Sequence, residues 1–95
     1  MFDWDARKSQ SNRRKHNVSF EEAATAFLDP EGFDGEDLEH SETEIRRLRL
    51  AKSNLGNVLL IAYTIRNKNN EEITRIISAR RASRKESKRY AIEED

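Results

Sequence analysis

The chain has 95 residues, 18 of them basic and 18 acidic, for a formal net charge of zero. One domain over residues 1–95, with one thin core, is what this length and its 38% charged content imply. The absence of cysteine excludes disulfides, thiolate zinc sites and thiol nucleophiles, and fits a reducing compartment. No apolar run nears the roughly 20 residues of a membrane span. Charges at Asp3 and Asp5 argue against a secretory signal. The expected location is the cytoplasm, with no membrane partner.

The zero net charge hides segregation. Residues 7–16 carry Arg7, Lys8, Arg13, Arg14 and Lys15 and no acid. Residues 29–44 carry acids from Asp29 to Glu44 and no Lys or Arg. Residues 75–89 are basic again, opposed only by Glu86. Two basic blocks that meet in space would form an anion-binding face, which the acidic block could shield.

Met1–Trp4 reads as a short strand, with Phe2 and Trp4 on one side. Residues 5–16 read as a helix capped by Asp5, so polar that it is solvated or faces a charged ligand. Asn17 can end it. Ser19-Phe20-Glu21-Glu22 matches a capping box. The helix it opens buries Phe20, Ala23, Ala24, Phe27 and Leu28 and stops at Asp29-Pro30. Residues 31–44 read as an acidic loop with a possible edge strand near Phe33. Ser41–Glu44 also matches a capping box, but Arg47, Leu48, Arg49 and Leu50 alternate, which favours a strand. Ser53–Asn57 and Arg66–Asn70 are turns. Val58–Ile65 is apolar enough for a central strand covered on both faces. Glu71–Arg80 makes the next strand, and Ser83–Glu86 caps a last helix reaching about Ile92. The expected fold is α+β: a small antiparallel meander with two N-terminal helices and one C-terminal helix.

The stretch Arg75–Ala82 joins β-branched Ile76 and Ile77 to Arg75, Arg80 and Arg81, planar forks suited to phosphate. The plainer reading is that these arginines pair with the acids elsewhere. Alternation sends Arg80 and Arg81 to opposite sheet faces, so the two would not share a role.

Longer motifs carry a resemblance. They are Trp4-Asp5 with Lys8 and Asn12, Arg14-Lys15-His16 followed by Val18–Ala23, Phe27 with Asp29-Pro30, and Asp37 with His40-Ser41 and Glu44. The last is Arg75–Ala82 with Glu86 and Tyr90. In order and spacing, over nearly the whole chain, the sequence resembles the BrnT toxins of bacterial type II toxin–antitoxin systems. The resemblance implies a RelE-like fold and RNA cleavage that stops translation. It also implies neutralisation by a cognate ribbon-helix-helix antitoxin (BrnA-like), whose complex with the toxin binds operator DNA.

RNA cleavage without a metal needs a base for the 2′-OH, an acid for the leaving 5′-oxygen and cations for the phosphate charge. His16 and His40 are the two histidines and the natural proton carriers. At a helix end His16 could instead serve the dipole. Arg75, Arg80 and Arg81 are the expected charge stabilisers. Lys15, Arg84, Lys88 and Tyr90 are expected at the RNA, Tyr90 by stacking on a base. Trp4 is better explained by the core. No metal-ligand spacing is present, and no cofactor is expected. A non-catalytic nucleic-acid binder and a protein-interaction module remain open alternatives, because composition and periodicity do not separate them from a nuclease.

Overall fold

In the computed structural model, which describes residues 1–41 and 43–94, five strands and three helices account for most of the chain. They run β1 (Phe2–Asp3), α1 (Ala6–His16), α2 (Phe20–Thr25), β2 (Phe33–Glu36), β3 (Arg47–Lys52), β4 (Val58–Lys68), β5 (Glu71–Arg81) and α3 (Arg84–Glu94). The sheet order is β1-β5-β4-β3-β2. Strands β2 to β5 form the antiparallel meander. β1 joins β5 in parallel, so the sheet is mixed where a purely antiparallel one was expected. A two-residue strand ahead of two helices carries no signal of its neighbour. It is held by the Thr74 N–H on Met1 O at 2.9 Å.

Local chemistry sets the element ends. The Asp5 carboxylate accepts from the Arg7 and Lys8 amides and opens α1. Asn17 ends it in the left-handed region at φ 56°, its N–H returning to Arg13 O. The hairpin between β4 and β5 is tighter than expected. Asn69 and Asn70 both take positive φ, as a two-residue primed turn demands, so the strands run on to Lys68 and from Glu71. Ser83 and Glu86 complete a reciprocal capping box on α3. Ser19 caps α2 through the Glu22 amide, but Glu22 does not reach back. Its carboxylate instead accepts from Ser53 Oγ and Asn57 Nδ2, tying α2 to the β3–β4 turn. The Glu42 position of the other capping-box match lies outside the described residues.

Helices α1 and α2 pack on one sheet face. Val18, Phe20, Ala23 and Ala26 meet Ala51, Leu59, Ile61, Ile76 and Ala79 in one buried cluster. Trp4 packs edge-on against Phe20 at 5.9 Å, on the core side. The other sheet face carries Leu48, Leu50, Leu60, Ala62, Thr64, Ser78 and Arg80, as the registers dictate. Helix α3 covers part of it, with Glu86 and Arg89 beside Leu50 and Leu60. The rest lies outside the cover of α3: Ser78 is exposed, while Ala62 and Thr64 are buried, Thr64 donating its hydroxyl to Ile45 O at 2.9 Å.

Asn12 joins the layers. Buried in a helix that otherwise faces solvent, it donates to Val18 O at 3.0 Å and Ala79 O at 2.7 Å. It also accepts from Ala79 N at 3.1 Å. Its amide thus stands in for a neighbouring strand on the free edge of β5. Asn12→Ala strands an N–H and two carbonyls. Water from the adjoining cavity can take over part of their bonding, so a loss of about 2 kcal/mol in urea unfolding is expected. Wild-type stability would show that these bonds contribute nothing.

Candidate active site

The end of α1 and the end of β5 meet at the sheet face that α3 partly covers, where His16 and Arg80 line one cavity. α1 runs past the β5 edge, and its last residue, His16, looks onto a cavity of about 250 Å3. Leu48, Leu60 and Ala62 form the apolar floor, and Ser78 and Arg80 form the wall. Asn12 fixes this meeting. It bonds Val18, two residues after His16, and Ala79, next to Arg80.

Arg80 is half-buried and forked onto Glu86 at 2.8 and 3.0 Å, with a third bond to Arg81 O. A guanidinium has five N–H groups, so two remain for an anion in the cavity. Glu86 both caps α3 and orients Arg80. Arg80, with the Ser83 amide, draws the Glu86 carboxyl from 4.5 down to about 2, against the opposing effect of burial. A depressed carboxylate stabilises the fold above its unfolded value. This contribution is therefore whole above pH 4.5 and is lost as pH falls toward 2. A carbon-13 titration of the Glu86 carboxyl should have its midpoint near 2. A midpoint at 4.5 would show that the Arg80 pair does not persist in solution.

A second cavity, of about 340 Å3, opens on the same face. His40, Glu39, Glu44, Arg46, Thr64 and Ile77 are among its lining residues. His40 holds Asp37 through Nδ1 at 2.8 Å. The two histidines therefore occupy separate, neighbouring cavities.

The other expected site residues fall outside both. Arg75 lies opposite Thr64 and pairs with Asp3 at 3.2 Å. Arg81 is exposed and pairs in register with Leu59, so it and Arg80 do face opposite ways. Lys15, Arg84 and Lys88 are exposed on their helices. Tyr90 departs from its expected role. It is 3% exposed, and its hydroxyl donates to Asp29 Oδ2 at 2.6 Å. Its ring anchors α3 and is not presented to a base. Ser78 and Arg46 went unnoticed in the sequence, where a serine in a strand and an arginine in a loop carry no distinguishing pattern. Among the described residues, no group of three or more His, Asp or Glu side chains is placed to hold a metal.

The fold is a meander backed by two helices, with a third helix over part of the opposite face. The 1.1 Å crystal structure of the Brucella abortus ribonuclease toxin, BrnT, matches it with a TM-score of 0.63 at 20% identity. That match covers 88% of this chain and 99% of the Brucella chain, and at this identity it establishes the fold. Residues 4–86 match the family described as the ribonuclease toxin, BrnT, of type II toxin-antitoxin systems. The chain belongs to the BrnT family. No curated protein matches it in sequence. No helix among the described residues is long and apolar enough to cross a membrane.

Proposed function

We propose that this toxin cuts RNA by metal-independent transphosphorylation at the cavity between His16 and Arg80. The observation that carries the reading is their convergence with Ser78 on one open cavity, in a chain of this family. The substrate 2′-oxygen attacks the adjacent phosphorus, and the bond to the 5′-oxygen breaks. His16 carries one of the two proton transfers, as base toward the 2′-OH or acid toward the leaving 5′-oxygen, and solvent water takes or supplies the other proton. The two unspent N–H groups of Arg80 bind the phosphate oxygens as charge builds. Held by Glu86, that fork needs little reorganisation. The products are a 2′,3′-cyclic phosphate and a 5′-OH. Exposed Lys15, Arg84 and Lys88 hold the flanking strand by charge, and Arg75 and Arg81 add to that field. His40 serves the neighbouring cavity. Cleavage arrests translation in the cytoplasm. A cognate antitoxin of ribbon-helix-helix type neutralises the toxin and carries the complex to operator DNA.

The test is purified protein with end-labelled RNA in EDTA, with and without ribosomes. Fragments with 5′-OH ends are expected. RNA left intact by folded protein under both conditions would remove the nuclease reading and leave a binding module.

A further inference from the structure

We propose that the second cavity is a nucleobase subsite selective for guanine, next to the phosphate that is cut. The proposal deepens the nuclease reading and rests on it for the word "cut". Its geometry stands apart from that reading.

The two cavities share one face and are one step apart. Ala62 lines the first and Thr64 the second. Two residues along a strand span roughly 7 Å, a step that one unstacked nucleotide covers. β5 supplies Ser78 to the first and Ile77 to the second. Ile77 is the residue the ladder skips: Ala62 pairs with Ser78, and Tyr63 with Ile76. A bulge of this kind re-aims a side chain beside a site. Here it turns an isoleucine into the open cavity, where it offers an apolar surface to a flat ring.

The polar groups fit a base better than a phosphate. Glu39 and Glu44 both line the cavity and oppose an anion. Glu44 is already matched by Arg66, through both oxygens at 3.1 and 2.9 Å. Arg46 is half-buried and makes no ion pair among the described residues. Its backbone is held firmly nonetheless. Ser41 Oγ accepts from Arg46 N at 2.9 Å and donates to Asp37 O at 2.7 Å. The Asp37 amide donates to Arg46 O at 2.8 Å. The same Asp37 holds His40 by its ring. These bonds hold the Arg46 backbone beside Asp37 and Ser41, and Arg46, Glu39 and His40 line one cavity together with Ile77.

Guanine complements that set. Its O6 and N7 accept from a guanidinium fork, and its N1–H and N2–H2 donate to a carboxylate. Adenine sets an amino donor against the arginine, and pyrimidines have no N7. Unpaired bases are read in this manner by stacking and edge hydrogen bonds.

Two measurements on the whole protein test this. The first is cleavage-site mapping on a random RNA pool. The wild type should cut next to guanine, and Arg46→Ala should reduce that preference by roughly 5- to 150-fold. Arg46→Gln should move the preference toward adenine, the base a glutamine fork matches. Unchanged sites and rates in a folded Arg46→Ala protein would overturn the proposal. The second is a titration of the wild type with guanosine and adenosine monophosphates, read at the Ile77 methyls by NMR. Shifts with the guanine nucleotide alone support the subsite. Equal shifts, or shifts elsewhere, overturn it. Guanine-selective shifts without any RNA cleavage would keep the pocket and remove the nuclease reading. Cleavage without base selectivity would do the reverse.

Discussion

Arg49→Met is expected to lower the unfolding free energy by about 3 kcal/mol, a loss on the scale of truncating a core side chain. Arg49 is 8% exposed, yet it lies on the helix-covered face of β3. It donates to Ala26 O at 3.2 Å, Asp29 O at 2.8 Å and Asp34 Oδ1 at 2.6 Å, with Phe27 packed on its guanidinium. Methionine keeps the length and none of these bonds. Breaking a buried pair from one side costs roughly 3–5 kcal/mol. The low end applies because the Asp34 side chain is 29% exposed and keeps the Tyr63 hydroxyl. For a chain of this length the total stability is on the order of 5–14 kcal/mol, so roughly a fifth to three-fifths would go. The fit around Arg49 is close. A Cβ on Gly32 would lie 2.5 Å from its Nη2 and 2.7 Å from the Ala51 Cβ. Urea unfolding measures the loss. A change under about 0.5 kcal/mol, typical of a surface substitution, would refute this account of Arg49.

Arg49 also shows where the sequence could be read and where it could not. The alternation of Arg47, Leu48, Arg49 and Leu50 correctly implies a strand, because a period of two is a property of the backbone. It does not say which side meets solvent. Here the leucines go beneath α3, while Arg49 goes under Phe27 and the 26–34 segment. Capping boxes were legible for the same local reason. Ser83–Glu86 forms in full, while Glu22 has a better offer from Ser53 and Asn57 across the molecule. Long-range pairings of this kind leave no local trace. The parallel seat of β1, the bulge at Ile77 and the bonds from Asn12 to Ala79 all belong to that class. For the site, the motifs pointed to the stretch Arg75–Ala82 and to His16, and the fold brings Arg80 and His16 to one cavity. That His16 joins Arg80, while His40 stands over a separate cavity, needed the sheet face itself. Tyr90 was misread because aromatic chemistry suits both a base and a core, and only burial distinguishes them.

The two adjacent arginines should separate sharply in a kinetic assay of RNA cleavage. Arg80→Ala is expected to lower kcat by about 10²–10³-fold, the range for removing one preorganised donor from a developing oxyanion. Arg81→Ala should leave kcat intact and raise KM in a salt-dependent way, because Arg81 faces away from the cavity and contributes only to the field. Arg80→Lys should not rescue, since a point charge cannot hold Glu86 with one edge and phosphate with the other. The loss would not reflect unfolding. The Arg80 side chain is 41% exposed, so its pair adds little to stability. Glu86 also keeps its bonds to Ser83 without it. His16→Ala should cost about 10²–10⁴-fold. The double variant should fall well short of the product of the two losses, as groups acting on one transition state do. If Arg80→Ala and Arg81→Ala instead weaken cleavage alike, through KM alone, both arginines are field charges and the phosphate is bound elsewhere. A fully active His16→Ala protein would move the proton transfer to another group, and His40 would be the next to replace.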